Sequence, residues 1–223
     1  MIRFIQKQSA LFSVLLILPL MGTYIGKSTF QYGISPYSTA VMELDQRVFE
    51  KLSYKKKFDD FLEEQRTKNK ILRIISQYQP NVDMEWVRQI PNLIFQESRK
   101  YGYDPLFLTA LIVTESSFNN WAKSHAGALG LMQLRPRTGW AMAQETRTHW
   151  EGKPSLFKPD TNIALGAYYL NKLVGRFKDM ELALEAYNHG PSQLMRYLNQ
   201  GKPPYDYSTK VFDIYDLIRS KTV

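Results

Sequence analysis

The 223-residue sequence has no cysteine and only three histidines, at positions 125, 149 and 189. The absence of cysteine excludes disulfides, thiolate metal sites, cysteine nucleophiles and a lipid anchor attached to cysteine. The histidines are scattered along the chain, so we expect neither a metal site nor a cofactor. Any chemistry must therefore come from carboxylates, hydroxyls, amides and the backbone.

Basic residues are only moderately in excess, with 29 Lys and Arg against 21 Asp and Glu and a net charge of +8. A hydrophobic content of 44% and an aromatic content of 13% indicate a folded protein rather than a disordered one. Residues 83–223 contain no basic stripe with interleaved aromatic residues, so we expect no nucleic-acid partner. An anionic surface, membrane or polymer suits the charge better.

The one long uncharged run lies near the N-terminus. Arg3 and Lys7 precede an uncharged stretch from Gln8 to Gly26, which is most hydrophobic over residues 11–20. A cationic start followed by an apolar run is typical of a secretory signal and predicts export. The run has no clean cleavage site and is close to the ~20 residues that span a bilayer. Residues 1–28 are therefore predicted to be either a cleaved signal peptide or a membrane anchor.

Residues 29–82 are predicted to form a linker and a helical extension. Hydrophobic residues at helical spacing predict one or two interrupted helices over 39–66 and a further stretch over 71–78. The run Lys55–Lys57 is better explained as a solvated helix face than as a site for anionic lipid. A new unit is predicted to begin near Asp83.

From Asp83 to the end, punctuated helical patterns without alternation predict an all-α domain over residues 83–223. Asp104 is a candidate N-cap and Pro105 a first helical residue, and they open a helix to Thr114 that is apolar nearly all round. Such a helix should be central and buried. One helix is predicted to follow a cap at Asp83 or Asn92, and another to follow a cap at Asp160. Three more are predicted over 182–187, near 192–198 and near 208–218. A polar connection is predicted around Trp140 and Trp150.

Glu115 stands at the far end of this apolar helix, directly after Leu111, Ile112 and Val113 in the preceding turn. Partial burial of a carboxyl disfavours its ionised form and raises its pKa. A carboxyl with a pKa near ambient pH can donate a proton to a leaving oxygen and later retrieve one. From these residues alone, a Glu115 that pairs with an arginine or faces water is an equally good interpretation.

Two other segments carry candidate binding residues. In the glycine-rich stretch that ends at Gln133, the small residues permit close approach of backbone or ligand. This stretch does not fit a phosphate-binding loop, because no Lys-Ser or Lys-Thr follows and no strand precedes it. Gln133 suits a sugar N-acetyl group. Met132 is an adaptable apolar contact, and core packing is the better interpretation of it from the residues alone. Tyr187 and Asn188 lie at a predicted helix end, where capping and packing are the common roles.

Four segments follow one another along the chain: Glu115–Phe118, Ser124 with Gly127–Gln133, Asn162 with Gly166 and Tyr169-Leu170, and Ala186–Pro191. Taken together and in this order, they resemble the catalytic domain of the soluble lytic transglycosylase (SLT) family, in the lysozyme-like superfamily. The resemblance implies a lysozyme-like, mainly helical fold over about residues 83–220. It also implies peptidoglycan as the partner, cut at the β-1,4 bond between N-acetylmuramic acid and N-acetylglucosamine to leave a 1,6-anhydromuramic end.

The resemblance also implies roles for particular residues. Glu115 would protonate the glycosidic oxygen and then take a proton from the C6 hydroxyl that closes on C1. No second carboxylate is needed, because the sugar's own hydroxyl replaces the water that other glycosidases activate. Export by the N-terminal segment would place the protein in the periplasm or cell envelope, anchored in the inner membrane if that segment is retained. Substrate contacts are implied for Ser116 and Ser124 around the acid, Met132 and Gln133 along the groove, and Tyr187 and Asn188 at the reacting sugar.

The sequence departs from the family pattern at two places. At the position where the family often has a tyrosine near the start of its last helix, this sequence has Lys210. We predict neither Tyr205 nor Tyr207 as the residue that replaces that tyrosine. Glu185 and His189 stand where small residues are common, and Glu185 could serve the fold or act as a second carboxylate. The latter would favour a hydrolase of the goose-type lysozyme kind. A membrane-tethered, non-catalytic glycan-binding or assembly protein is a third hypothesis, which the intact acid argues against.

Overall fold

A computed structural model of the chain describes residues 36–80 and 84–220. Apart from isolated bridges, the regular structure of these residues is entirely helical, which confirms the predicted all-α class. The predicted signal or anchor at residues 1–28 lies outside the described residues. No described helix is both long and apolar enough to cross a membrane. The helices are α1 (Pro36–Tyr78), α2 (Met84–Tyr101), α3 (Pro105–Ser116), α4 (Pro136–Thr146), a 3₁₀ helix (Lys153–Phe157), α5 (Pro159–Phe177), α6 (Met180–His189), α7 (Pro191–Asn199) and α8 (Asp206–Ser220).

The extension is one continuous helix, α1, rather than the interrupted helices predicted over 39–66 and 71–78. The chain divides into two compact units, whose described parts are residues 36–61 and 62–220. In the first unit Lys55–Lys57 is exposed, as the solvated-face interpretation predicted. In the second unit Ile71, Ile74 and Ile75 are buried in the core. The second unit, which starts at Leu62, therefore includes this apolar stripe of α1.

Helix α3 lies at the centre of the second unit, and its residues 107–113 are all buried. The Asp104 carboxylate caps its first turn by accepting the Leu106 backbone N–H at 2.8 Å, and Pro105 is its first residue, as predicted. Helix α3 packs against α8 and α2. Because α3 is fixed on several sides, the position of its last turn is set by the core rather than by a loop.

The segment after α3 is held in place by Asn162, a fully buried residue of α5. Its Oδ1 accepts the Met132 backbone N–H at 2.7 Å, and its Nδ2 donates to the carbonyls of Leu129 and Leu156 at 3.1 and 2.8 Å. At Gly130, which has a φ of +77°, an added Cβ would lie 2.1 Å from the Leu156 carbonyl oxygen. The close backbone approach predicted for the glycine-rich stretch is therefore confirmed at Gly130.

One predicted connection and one predicted helix cap were wrong. The region of Trp140, predicted as a polar connection, is helix α4, which starts at Pro136 without a capping side chain. Helix α5 begins at Pro159, so Asp160 lies inside its first turn instead of capping it. The candidate cap Asp83 lies outside the described residues, and Asn92 lies within α2.

Candidate active site

Glu115 lies in the last turn of α3 and faces a cavity of about 430 Å³. The helix ends immediately afterwards, because Ser117 takes a left-handed backbone conformation with a φ of 50°. The remaining walls come from the segment 124–138, from Tyr169 of α5 and from residues 187–191 at the junction of α6 and α7. The core helix thus delivers one carboxyl group to a cavity large enough for sugar rings.

The surroundings of Glu115 change its acidity. Burial is the main cause, and it raises the pKa of the carboxyl from 4.5 to about 7. A hydrogen bond from Tyr207 and the positive charge of Lys210 act in the opposite direction and keep that pKa from rising further. Near neutral pH both the acid and the carboxylate are therefore populated, which is the requirement for a group that gives and then takes a proton.

Tyr207 is the direct partner of the candidate acid. It lies in the first turn of α8, and its hydroxyl donates a hydrogen bond to Oε1 of Glu115. Burial, followed by the charge of Glu115, holds the pKa of the Tyr207 phenol well above its usual range, so it stays a donor. Tyr207 was not predicted as a site residue, and no local pattern in the sequence points to it, because the contact joins residues 92 positions apart.

Tyr187 forms part of the cavity wall as a buried ring. Its hydroxyl donates to the Met132 backbone carbonyl at 2.8 Å, and its ring lies against that of Tyr169 with 5.3 Å between the centroids. Burial is the main reason why the pKa of Tyr187 is well above its usual range. Since the hydroxyl is already bonded to the protein, Tyr187 offers a ligand mainly its ring.

Three other predicted residues, Gln133, Ser124 and Asn188, also line the cavity. Gln133 donates from Nε2 to the carbonyls of Ala122 and Gly130 at 3.2 and 2.9 Å, which leaves its Oε1 to accept from a ligand. Ser124 Oγ accepts the Ala128 N–H at 3.0 Å, and its own proton remains available for donation. The structure therefore brings Glu115, Tyr187 and these three side chains around one cavity, and their roles toward a substrate remain predictions.

Ser116 and Met132 occupy a different position from the one implied for them. The Ser116 hydroxyl donates to the Leu131 backbone carbonyl at 2.7 Å, and Met132 is fully buried against Gly166. Neither side chain is among those that line the cavity. Both hold the segment that forms the wall, so their support for a bound ligand is indirect.

Glu185 is fully buried and does not line the cavity. Its Oε1 accepts both the backbone N–H and the hydroxyl of Ser208, at 2.7 and 2.8 Å, and thereby caps the first turn of α8. Among the residues that the structure describes, Glu115 is the one carboxylate in the cavity wall. Over the same residues, no group of three or more histidine or acidic side chains could hold a metal ion.

Comparison with known proteins gives several matches. The model of the family described as transglycosylase SLT domain matches residues 92–208. The chain is 36% identical over 121 residues to membrane-bound lytic murein transglycosylase C of Cronobacter sakazakii, which is 49% of this chain and 33% of that protein. It is 32% identical over 147 residues to membrane-bound lytic murein transglycosylase E of Buchnera aphidicola, which is 61% of this chain and 69% of that protein.

Among solved structures, an inactive mutant of lytic transglycosylase Slt from Pseudomonas aeruginosa is similar, with 28% identity and a TM-score of 0.47. That similarity covers 66% of this chain and 25% of the other. The chain therefore spans about a third of the Cronobacter enzyme and a quarter of the Pseudomonas one.

Proposed function

Because the chain belongs to the transglycosylase SLT domain family, we propose that it is a lytic transglycosylase that cleaves the glycan strands of peptidoglycan. The observation that carries this proposal is Glu115, a single carboxyl with a pKa of about 7 in a cavity of about 430 Å³. The proposed substrate bond is the β-1,4 link from N-acetylmuramic acid to N-acetylglucosamine.

In the first step of the proposed reaction, protonated Glu115 donates its proton to the glycosidic oxygen as the bond from that oxygen to C1 breaks. In the second step, the resulting carboxylate removes the proton from the C6 hydroxyl of the muramic residue while its oxygen bonds to C1. The products are a free N-acetylglucosamine hydroxyl and a 1,6-anhydromuramic end. Glu115 is protonated again, so the cycle closes without water or a cofactor.

One feature of the site and one of the proposed substrate favour a lyase over a hydrolase. A hydrolase of the ordinary kind needs a second carboxylate, as nucleophile or to activate water. Within the described residues Glu115 is alone in the cavity wall, and the nearby candidate Glu185 is buried and bound to Ser208. The sugar's own hydroxyl is held next to C1 by the ring itself, which gives it a large advantage over a free water.

The other side chains of the cavity suit the charge that develops during such a reaction. As the C1–O bond breaks, positive charge grows at C1 and on the ring oxygen. Neutral oxygen atoms placed beforehand can stabilise that charge without forming a competing bond. In this proposal Oε1 of Gln133 and the amide of Asn188 supply such groups, and the ring of Tyr187 supports a sugar face.

Product analysis of digested peptidoglycan tests the proposal. Purified sacculi are incubated with the wild type, with Glu115→Gln, and with Glu145→Gln as a control that removes an exposed carboxylate from α4. Mass spectrometry should show anhydro-ended fragments from the wild type and the control, and none from Glu115→Gln. Reducing ends instead would establish a goose-type hydrolase, and no release by any of the three proteins would establish a non-catalytic binding protein.

The same proposal places the protein in the cell envelope, where peptidoglycan lies, and two of the similar proteins carry the description membrane-bound. Residues 1–28 would then serve as an export signal or as an inner-membrane anchor. Cell fractionation and the mass of the mature protein distinguish these cases. Loss of about the first 28 residues from a released protein indicates cleavage, whereas the full mass in the membrane fraction indicates an anchor.

A further inference from the structure

Two basic side chains face the cavity that holds Glu115, and the proposed reaction uses neither. Arg135 lies at the start of α4, and His189 is the last residue of α6, so they come from different walls. Arg135 forms no ion pair with any residue that the structure describes. Its permanent charge is therefore available to something that enters the cavity.

His189 is held from behind by a buried carboxylate. Its Nε2 lies 3.4 Å from Oε2 of Glu185, a residue with no exposed surface, and its ring stands edge-on to that of Tyr197 with 5.6 Å between centroids. Oε1 of Glu185 is taken by Ser208, whereas Oε2 has no hydrogen-bond partner among the described residues.

A carboxylate directed at one ring nitrogen orients a histidine and leaves the other nitrogen for a ligand. The side chain of His189 is about one third exposed, at 32%, which is sufficient for contact with a ligand in the cavity. A buried carboxylate oxygen is costly unless a polar or charged group compensates it. The imidazole of His189, 3.4 Å away, is the group placed to do so.

The charges in the cavity define the chemistry of the group that it suits. Arg135 is always positive, and Glu185 lies directly behind the imidazole of His189. Glu115 is neutral in the form that donates a proton. The backbone of an N-acetylated β-1,4 glycan carries no charge, but the 3-O-lactyl branch of each muramic residue ends either in its own carboxylate or in a peptide that carries carboxylates.

We propose that Arg135 and His189 bind a carboxylate on the lactyl branch of the muramic residue, with Glu185 as the residue that positions His189. This inference rests on the proposed function for the identity of the glycan. The two side chains make the cavity selective for acidic, muramic-containing strands over neutral strands of the same sugars.

Binding measurements in the Glu115→Gln background test this without cleavage. Four soluble ligands are titrated: peptide-bearing strands, strands stripped of peptide by an amidase, and each of these with its carboxylates converted to neutral amides. Arg135→Gln and His189→Asn should each weaken binding of the acidic strands by about ten- to a hundred-fold, the usual loss for one charge-assisted contact. Binding of the neutralised strands should not change. An effect on only one acidic strand would show whether the peptide or the lactyl group supplies the carboxylate.

Matched controls separate this effect from a general loss of structure. Arg137→Gln removes an exposed arginine near Arg135, and His149→Asn removes an exposed histidine that also pairs with a glutamate, at 3.1 Å. Neither residue lines the cavity, and neither change should alter binding. Glu185→Gln keeps an oxygen for Ser208 and should weaken binding of the acidic strands alone.

Equal weakening for acidic and neutralised strands, or none for either, would overturn the inference. Because binding is measured without turnover, this result is independent of whether the wild type cleaves peptidoglycan. A wild type that binds acidic strands selectively but releases no fragments would disprove the proposed activity and leave the carboxylate site standing.

Discussion

Replacement of Glu115 by glutamine should make the protein more stable at high pH while it abolishes activity. Below about pH 4.5 the carboxyl is protonated in both the folded and the unfolded chain. Between that pH and about 7 the carboxyl of Glu115 is ionised in the unfolded chain but still protonated in the folded one, so the free energy of unfolding falls as the pH rises. The gap between 4.5 and about 7 corresponds to about 3 kcal/mol of folding free energy, fully lost above the folded-state pKa.

Glutamine at position 115 has no proton to lose, and its amide oxygen can still accept from Tyr207. The variant should therefore match the wild type near pH 4 and exceed its free energy of unfolding by about 3 kcal/mol near pH 8. For a domain of this size that is a rise in Tm of roughly 6–12 °C. Thermal unfolding followed by circular dichroism at one-unit steps from pH 4 to 8 measures it.

Glu151→Gln is a control of the opposite sign. The hydrogen bond from Lys158, and then that from His149, lowers the pKa of this exposed carboxyl, so it stabilises the fold above its ordinary pKa and ceases to do so as the pH falls. Its glutamine variant should lose a little stability at high pH. If the Tm difference for Glu115→Gln is the same at pH 4 and pH 8, the carboxyl is not desolvated, and its assignment as the proton donor fails.

Two further substitutions test the partner of the acid and the wall of the cavity. Tyr207→Phe removes a hydrogen bond that favours ionised Glu115, so the pKa of Glu115 should rise. The alkaline limb of the pH–rate profile should then move to higher pH, whereas the exposed control Tyr205→Phe should leave it in place. An unmoved limb for Tyr207→Phe would refute the pairing. Gly130→Ala should lower the free energy of unfolding by about 3–5 kcal/mol in urea titrations, because of the clash and the positive φ. Gly127 has a similar φ of +78° but open space around it, so Gly127→Ala should cost only about 1–2 kcal/mol. Equal losses for the two variants would exclude the clash as the cause.

The central helix and the position of the acid could be predicted because their signals are local. Asp104 caps α3 and Pro105 is its first residue, so the start of the helix can be located from the sequence. The uniformly apolar turns that follow mark the helix as buried. Since Glu115 ends that helix, its partial burial follows from the same pattern. The sequence alone could not distinguish a proton donor from an ion-paired residue, because that depends on groups that arrive from elsewhere in the chain.

The features that could not be predicted depend on distant contacts or on weak local signals. Tyr207 is 92 positions from Glu115, and no local pattern announces a contact over that separation. Helix α4 was missed because its N-cap, Arg135, makes no side-chain hydrogen bond. Ser116 and Met132 belong to matching segments, yet only distant contacts show that they face inward, which are the bond of Ser116 to the Leu131 carbonyl and the packing of Met132 against Gly166 of α5.

The capping of α8 by Glu185 has a consequence for when the site around Glu115 is complete. One carboxylate fixes the first turn of α8 through Ser208, and the adjacent Tyr207 reaches the other carboxylate, Glu115. Helix α8 is the last helix that the structure describes, so a ribosome has made every other described helix before this one can dock. A nascent chain therefore carries Glu115 without the phenol that lowers its pKa until α8 has been made and has docked.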